Sequence, residues 1–253
     1  MVKQKQKSDL NVVAIILAIV ALLAIVGVIC LAWFLAIANE KIEHLEKQNE
    51  ELSAECDSEA PGRIDDWGDF VVKKPLIYLY PTEETEVSVK LGNADKLTSS
   101  YPKYDKGWNV VAQKDGSLVD KNTGRSLYGL YWEGANYPAK QNEEGFVVAG
   151  KDAASFLEEK LAQLGLTERE ANEMIIYWLP QLEKNAYNYI RFDLNEVMDG
   201  YMPLNIAPKP DTVIRVSMVF KGLDAPMSVR EQKLPKKERK GFTVVEWGGS
   251  EIK

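Results

Sequence analysis

Two glutamates stand beside tryptophans in similar sequence contexts and are the first candidates for catalysis. Glu133 lies in the segment WEG at residues 132–134, and Glu246 lies in the segment EWGG at residues 246–249. A carboxyl group held against an indole in an apolar cleft has a raised pKa and can act as an acid at neutral pH. Two such groups that face each other could supply the acid and the nucleophile or base for glycoside hydrolysis. The alternative is that each carboxylate accepts hydrogen bonds at the end of a strand.

Aromatic side chains are the candidates for ligand binding. The chain contains 11 Tyr and 6 Trp residues, and several of them cluster in short segments. A ring can stack on the apolar face of a sugar while neighbouring polar groups bind the sugar hydroxyls. The candidate ligand-binding residues are Tyr104, Trp108, Tyr131, Trp132 and Tyr137. Because aromatic residues in strands most often pack in the core, burial is the alternative for each of them.

Other kinds of site have little support in the sequence. With a single histidine, His44, and two cysteines, the chain lacks the imidazoles that most zinc sites and Ser-His or Cys-His catalysis require. Residues 120–124 (DKNTG) resemble a calcium loop only weakly, because Gly124 has no side-chain oxygen, and a hairpin turn explains the segment. No glycine-rich phosphate-binding motif occurs. We therefore expect no metal ion and no cofactor.

The charge balance argues against nucleic acid as a partner. The 253 residues are 45% hydrophobic and 27% charged, as in an ordinary folded protein, and their formal net charge is −7. Such a chain has no basic field that would attract nucleic acid. Its one short basic run, residues 236–240 (KKERK), is expected to be a solvated connection, and contact with anionic wall polymers is the alternative.

The elements that must position these residues form an α+β domain over residues 70–253. Residues 85–91 (TEVSVKL) alternate as in a half-buried strand. Helices are predicted from near Asp152 to Gly165 and from Thr167, with Glu170 completing a capping box, to about Pro180. Further strands are predicted at residues 76–80, 108–113, 117–119, 127–132, 187–192, 213–220 and 242–247. Strands on both sides of a helical pair predict a β-rich, sandwich-like domain with a helical insertion.

Several short segments together resemble an uncharacterised family of bacterial exported or membrane-anchored proteins. They are KPLIYLYP (residues 74–81), GWNVVAQKDGSL (107–118), YWEG (131–134), YWLP (177–180) and VEWGG (245–249). The resemblance covers roughly residues 70–250 and implies an exported bacterial protein. The family has no known activity, so the resemblance implies no ligand and no catalytic residue.

An apolar run from residue 12 to residue 38 predicts a transmembrane helix. A helix of this length spans about 40 Å, which exceeds the hydrocarbon core of a bilayer. A cleaved signal peptide is the alternative, since residues 36–38 (AIA) have the small-residue spacing of a cleavage site. Lysines 3, 5 and 7 precede the run, so the tail at residues 1–11 is expected in the cytoplasm and residues 39–253 outside the plasma membrane.

The segment that follows the apolar run predicts a short coiled-coil stalk over residues 39–56. Its seam has 3-4-3-4 spacing and consists of Ile42, Leu45, Asn49, Leu52 and Cys56. A buried Asn in this seam favours a parallel dimer, and the two Cys56 thiols would then meet in a compartment that permits disulfides. A solvated monomeric helix is the alternative. Residues 57–69 are predicted to be a linker, because Pro61 and Gly62 interrupt the helix.

These elements together predict a single-pass, membrane-anchored module outside the cytoplasm that binds or builds the cell envelope. The expected partners are the lipid bilayer, a second copy of the chain, and an envelope glycan or protein. The alternative function is a carboxylate-dependent hydrolase of envelope polysaccharide that uses Glu133 and Glu246.

Overall fold

The computed structural model describes residues 33, 36–44, 47, 69–138 and 144–252, with side chains for all except 69, 70 and 136–138. The chain divides into two compact units, Met1–Ala60 and Pro61–Lys253. In the first unit, every described residue is helical and exposed. Among the described residues, no helix is both long enough and apolar enough to cross a membrane.

Most of the N-terminal predictions concern residues outside the described part of the chain. This holds for the tail at residues 1–11, for nearly all of the apolar run at 12–38 and for the linker up to residue 68. In the predicted stalk, Ile42 is described and is 52% exposed. The other four seam residues, Leu45, Asn49, Leu52 and Cys56, lie outside the described residues.

The second unit contains the strands and helices that surround the candidate sites. The strands are β1 (Asp69–Tyr80), β2 (Thr85–Leu91), β3 (Leu97–Tyr101), β4 (Trp108–Ala112), β5 (Leu118–Asp120), β6 (Ser126–Leu127), β7 (Leu130–Pro138), β8 (Glu144–Ala149), β9 (Tyr187–Leu194), β10 (Leu204–Ala207), β11 (Thr212–Leu223), β12 (Arg230–Glu231) and β13 (Thr243–Glu251). The α-helices are α1 (Ala153–Gln163), α2 (Glu168–Leu182) and α3 (Asn195–Tyr201), and short 3-10 helices occupy Ala94–Lys96 and Gly150–Asp152.

The strands form two sheets, and the predicted α+β class with a helical insertion is confirmed. An eight-stranded sheet has the order β12-β8-β9-β11-β13-β1-β7-β3, and a five-stranded sheet has the order β10-β2-β4-β5-β6. In the larger sheet, β11 pairs in parallel with β13, and β12 pairs in parallel with β8. The strands β3, β8, β10 and β12 are not among those predicted from the sequence. Apolar alternation is absent in β3 (LTSSY) and β12 (RE), β8 (EGFVVA) does not alternate, and β10 (LNIA) alternates over only four residues.

The eight-stranded sheet is the middle of three layers. Along β1, Ile77 and Leu79 belong to one hydrophobic core with residues of the five-stranded sheet. On the same strand, Leu76 and Tyr78 belong to a second core with residues of α1 and α2. Because successive side chains of a strand point to opposite faces, one strand serves both cores. Helices α1 and α2 therefore cover one face of the larger sheet, and the smaller sheet covers the other, where α3 also packs.

The ends of the helical insertion follow local sequence signals. The predicted capping box of α2 is confirmed, with Thr167 N donating to Glu170 Oε2 at 2.8 Å. Gly165 ends the preceding segment with φ +90°, a conformation that favours glycine. Helix α2 continues two residues beyond Pro180 to Leu182. The carbonyl that loses its donor to this proline belongs to Ile176, which is 67% exposed, so water can solvate it.

Candidate functional site

Glu246 lies in the core between the two sheets, where it is fully buried. Its Oε2 accepts a hydrogen bond from Arg215 Nε at 2.5 Å, and its Oε1 accepts one from Trp132 Nε1 at 2.7 Å. Arg215 Nη1 also donates to Asp199 Oδ1 at 2.5 Å and to the Met202 carbonyl at 2.8 Å. Burial is the largest single effect on the pKa of Arg215 and would lower it, but the charge and hydrogen bond of Glu246, together with the charges of Asp199 and Tyr201, outweigh burial and the pKa is raised. Glu246 is thus the counter-charge of a buried arginine.

Glu133 lies near the helical layer instead. Its Oε1 accepts a hydrogen bond from the backbone N–H of Lys74 at 3.3 Å. Lys74 has φ +54°, in the left-handed region that non-glycine residues rarely adopt, and its ammonium stands 4.6 Å from the ring centroid of Tyr177. Burial raises the pKa of Tyr177, and the negative charge of Glu133 raises it further. Glu133 therefore belongs to a partly exposed cluster with Lys74 and Tyr177.

Strand register keeps the two candidate catalytic glutamates apart. Glu246 pairs with Ile77 between β13 and β1, and Ile77 pairs with Leu130 between β1 and β7. These three side chains face the five-stranded sheet. Glu133 lies three residues beyond Leu130 and so faces the helical layer. The two carboxylates therefore leave opposite faces of one sheet, and the structure does not bring them together on either side of one bond.

Two of the candidate aromatic residues pack within the five-stranded sheet and its loops. Trp108 is 1% exposed and donates from Nε1 to the Pro102 carbonyl at 2.8 Å. The ring of Tyr104 meets it edge-on at 4.8 Å between centroids. The Tyr104 hydroxyl accepts a hydrogen bond from Leu91 N at 3.0 Å. Both rings therefore contribute to packing at this place.

The other three candidates do not join these two in one site. Trp132 is fully buried beside Glu246. Tyr131 is its neighbour on β7 and faces the helical layer, where burial raises the pKa of its hydroxyl. Tyr137 pairs with Phe70 in the sheet, but its side chain lies outside the described part of the structure. Tyr104, Trp108 and Trp132 therefore pack in the core between the two sheets, whereas Tyr131 lies on the helical face of the larger sheet.

A small pocket instead forms around two tyrosines of the KPLIYLYP segment (residues 74–81) and Tyr128. It has a volume of about 250 Å³ and is lined by Tyr78, Tyr80, Tyr128, Arg169 and residues 115–117. The rings of Tyr78 and Tyr80 lie 6.3 Å apart and within 6° of parallel, and the ring of Tyr128 is 6.5 Å from that of Tyr78. We call this set of residues the tyrosine pocket.

The floor of the tyrosine pocket is fixed by one part-buried and one buried hydrogen bond of Tyr78. Tyr78 donates its hydroxyl proton to Glu173 Oε2 at 2.5 Å and accepts a hydrogen bond from Trp247 Nε1 at 2.9 Å. Burial, followed by the hydrogen bond to Glu173, raises the pKa of Tyr78. This tyrosine therefore stays neutral and holds one orientation, as a rigid base for a ligand would require.

Charged side chains surround the mouth of the pocket. The Arg169 guanidinium lies 5.5 Å from the ring centroid of Tyr128 and donates from Nε to Glu173 Oε1 at 3.2 Å. Across the mouth, Asp115 Oδ1 accepts hydrogen bonds from Ser117 Oγ at 2.7 Å and Ser117 N at 2.9 Å. These bonds, with a smaller effect of Arg169, lower the pKa of Asp115. A carboxylate and a guanidinium thus flank an aromatic surface.

Tyr80 forms the second wall and is supported from behind. Its ring lies 5.4 Å from the guanidinium carbon of Arg239, which also forms an ion pair with buried Glu170. Burial and the hydrogen bond to Glu170 raise the pKa of Tyr80. On the front, a Cβ at Gly116 would stand 2.5 Å from Tyr80 Cε1, and Gly116 has φ +86°. Only glycine allows this turn to close so tightly over the ring.

The sequence contains a signal for part of this pocket. Tyr78 and Tyr80 are two residues apart in a strand, and the strand period places them on one face. Arg169 and Glu173 are four residues apart on α2, which places them on one side of the helix. No local pattern brings that helix side to that strand, and sequence analysis therefore misses Tyr78, Tyr80 and Arg169 as candidates.

The predicted turn at residues 120–124 also has a defined geometry. The Asp120 carboxylate is buried and accepts hydrogen bonds from Thr123 Oγ1 at 2.5 Å and Thr123 N at 3.2 Å. Gly124 has φ +69° and closes the hairpin. Among the described residues, no group of three or more His, Cys, Asp or Glu is arranged to hold a metal ion.

Comparison with known proteins gives one partial similarity. No protein-family model matches the chain, and no solved structure matches it. A Butyrivibrio fibrisolvens protein described as an uncharacterized protein in bglA 3'region is 45% identical over 64 residues. The match covers 24% of this chain, and the chain spans 65% of the length of that relative. The chain is therefore similar in part to an uncharacterised bacterial protein, and this similarity implies no activity.

Proposed function

We propose that this chain is a membrane-anchored binding module of the bacterial cell envelope and that its tyrosine pocket binds carbohydrate. The observation that carries the proposal is the pocket itself, in which the exposed ring of Tyr128 and the half-buried ring of Tyr80 lie beside buried Tyr78. Arg169 and Asp115 line the same pocket. Aromatic faces supply contact area for the C–H face of a sugar at a low cost in conformational entropy. The guanidinium and the carboxylate can donate to and accept from its hydroxyl groups.

The size of the pocket favours a single sugar unit. Its volume of about 250 Å³ is below the range of about 300–1,000 Å³ that is typical for small-molecule sites. Tyr128 is 52% exposed, so one ring remains accessible at the mouth. We therefore expect the pocket to take one residue of a longer glycan, with the rest of the chain lying outside it.

The alternative function, a glycan hydrolase, depends on Glu133 and Glu246 lying close together, and the structure separates them. Both inverting and retaining glycosidases need two carboxyl groups on either side of one bond. In this structure Glu246 is fully buried and is neutralised by Arg215, whereas Glu133 lies on the other face of the sheet. We therefore favour binding over hydrolysis.

A calorimetric titration tests the proposal. The full chain in detergent micelles is titrated with soluble gluco-, xylo- and chito-oligosaccharides, and reducing-sugar release is followed in parallel. We expect binding of at least one series, and we expect Tyr128→Ala to weaken it by about tenfold, as the loss of one stacked ring would. Tyr101→Ala is the matched control, because Tyr101 is 50% exposed and does not line the pocket.

Two outcomes would contradict the proposal. One is that no oligosaccharide binds, and the other is that both tyrosine variants weaken binding equally. Release of reducing sugar that Tyr128→Ala abolishes would instead favour the hydrolase.

A further inference from the structure

A groove of about 620 Å³ follows the outer edge of β8, near the end of the larger sheet that is opposite to β7 and β3. Helix α1 and residues 227–229 form its other sides. The neighbouring strand β12 is two residues long and pairs only with Glu144 and Gly145. Among the described strands, none pairs with the rest of β8 on this side. Residues 146–149 therefore present an open strand edge to the groove.

The backbone direction of β8 can be read from its existing bonds. The Gly145 carbonyl accepts a hydrogen bond from Gln232 N at 3.2 Å, so the backbone groups of Gly145 point towards β12. In a strand, the N–H and C=O groups of successive residues point to alternate edges. Those of Val147, two residues after Gly145, therefore point to the same edge as those of Gly145. The Val147 N–H and C=O groups face the groove just beyond the end of β12. Neither group bonds to a described residue of a neighbouring strand on this side, and a free donor and acceptor in this position form a template for an added strand.

The floor of the groove is aromatic. The rings of Phe146 and Phe156 meet at 5.1 Å between centroids, and Met227 and Val229 line the same space. Such a surface can take alternate side chains of an extended peptide, because every second side chain of a strand points to the same face.

The rim of the groove is acidic. Its charged lining residues are Asp152, Glu159 and Glu231, and none of the described lining residues is basic. Glu159 is paired at 2.8 Å with Lys160, whose ammonium lies 5.4 Å from the ring centroid of Phe146, so this pair adds no net charge to the groove. Asp152 and Glu231 form no ion pair with any described residue, so they can attract the basic side chains of a ligand. The groove therefore complements a ligand that combines backbone hydrogen-bonding groups, apolar side chains and basic side chains.

We infer that the β8 groove binds an extended basic peptide segment, which adds to the larger sheet as a strand. Main-chain hydrogen bonds to Val147 supply the pairing, the aromatic floor takes the apolar side chains, and Asp152 with Glu231 select for lysine or arginine. This site is independent of the tyrosine pocket.

The test uses fluorescein-labelled acetyl-KVKVKVK-amide and the full chain in detergent micelles, with anisotropy as the readout. We expect the peptide to bind and the charge-reversed acetyl-EVEVEVE-amide not to bind. The double variant Asp152→Asn, Glu231→Gln should weaken binding by about tenfold, and added salt should weaken it further. Glu158→Gln is the control, because Glu158 is an exposed carboxylate of α1 that does not line the groove.

Backbone methylation separates strand addition from simple charge attraction. Only every second N–H group of an added strand bonds to β8. Of two peptides methylated on the odd or on the even backbone nitrogens, one should therefore lose binding and the other should keep it. Equal binding of the two methylated peptides, or binding that the double variant leaves unchanged, would overturn the inference. So would failure of the peptide to bind while the chain pairs with itself through this edge. Tyr128→Ala should leave peptide binding intact, which distinguishes this site from the tyrosine pocket.

Discussion

At the residue scale, the buried ion pair of Arg215 and Glu246 is the feature with the largest expected effect on stability. Both side chains are at most 1% exposed and lie on neighbouring central strands. Removing one partner of such a pair leaves an uncompensated charge, which costs about 3–5 kcal/mol. Removing both can be nearly neutral, because the desolvation penalty also disappears.

We therefore expect Arg215→Met to lower the free energy of unfolding by about 3–5 kcal/mol. Adding Glu246→Gln to this variant should restore part of the loss. Urea denaturation of the three proteins measures both quantities. Equal stability of Arg215→Met and the wild type would contradict the assignment of Glu246 as the counter-charge.

Tyr78 gives a prediction for alkaline pH. Its pKa is raised in the folded state, so the neutral hydroxyl stabilises the protein fully below the unfolded pKa of about 10. This contribution is lost as the pH rises above that value, because only the unfolded chain then releases the proton. We expect stability to fall above about pH 10 and Tyr78→Phe to reduce the slope. Melting curves from pH 8 to pH 11 test this, and an unchanged slope in the variant would contradict it.

At the element scale, the position of α2 depends on its N-terminal cap. Thr167 and Glu170 exchange hydrogen bonds, and Glu170 is also paired with Arg239, which supports Tyr80. We expect Thr167→Ala to lower the free energy of unfolding by about 1 kcal/mol. Thr98→Ala is the control, because Thr98 is exposed on β3. A chemical denaturation midpoint that moves equally in both variants would contradict a specific role of the cap.

The stalk predicted for residues 39–56 stays a prediction at this scale. Its seam places Cys56 on the axis of a parallel dimer. We expect non-reducing electrophoresis of oxidised membranes to show a dimer band that Cys56→Ser removes. Cys30→Ser is the control, since Cys30 lies in the apolar run and not in the stalk seam. A monomer band that oxidation leaves unchanged would contradict the paired stalk.

At the scale of the whole molecule, the proposed topology places both binding sites outside the membrane. This orientation depends on a difference in charge. Lysines 3, 5 and 7 precede the apolar run, and the segment 39–68 that follows it has an excess of Asp and Glu. We expect protease added to spheroplasts to digest the domain at residues 70–253. If digestion required an inside-out preparation, the orientation would be reversed and an envelope glycan could not be the ligand.

The sequence by itself determined the features that depend on neighbouring residues. The capping box of Thr167 and Glu170 joins residues three positions apart, and the alternation of residues 85–91 needs only the period of a strand. Gly165 stops a helix because of its own backbone freedom. Such signals were enough to predict the α+β class, the helical insertion and most of the strands.

Only the tertiary structure decided which side chains meet. Trp132 and Glu246 are 114 residues apart in sequence, and Tyr78 and Glu173 are 95 apart. Whether two strand residues share a face depends on strand register, and a shift of one residue moves a side chain to the other face. That parity separates Glu133 from Glu246, although both stand beside a tryptophan. It also places Tyr78 and Tyr80 on the face that packs against α2. No local pattern contains this information, because long-range packing sets the register.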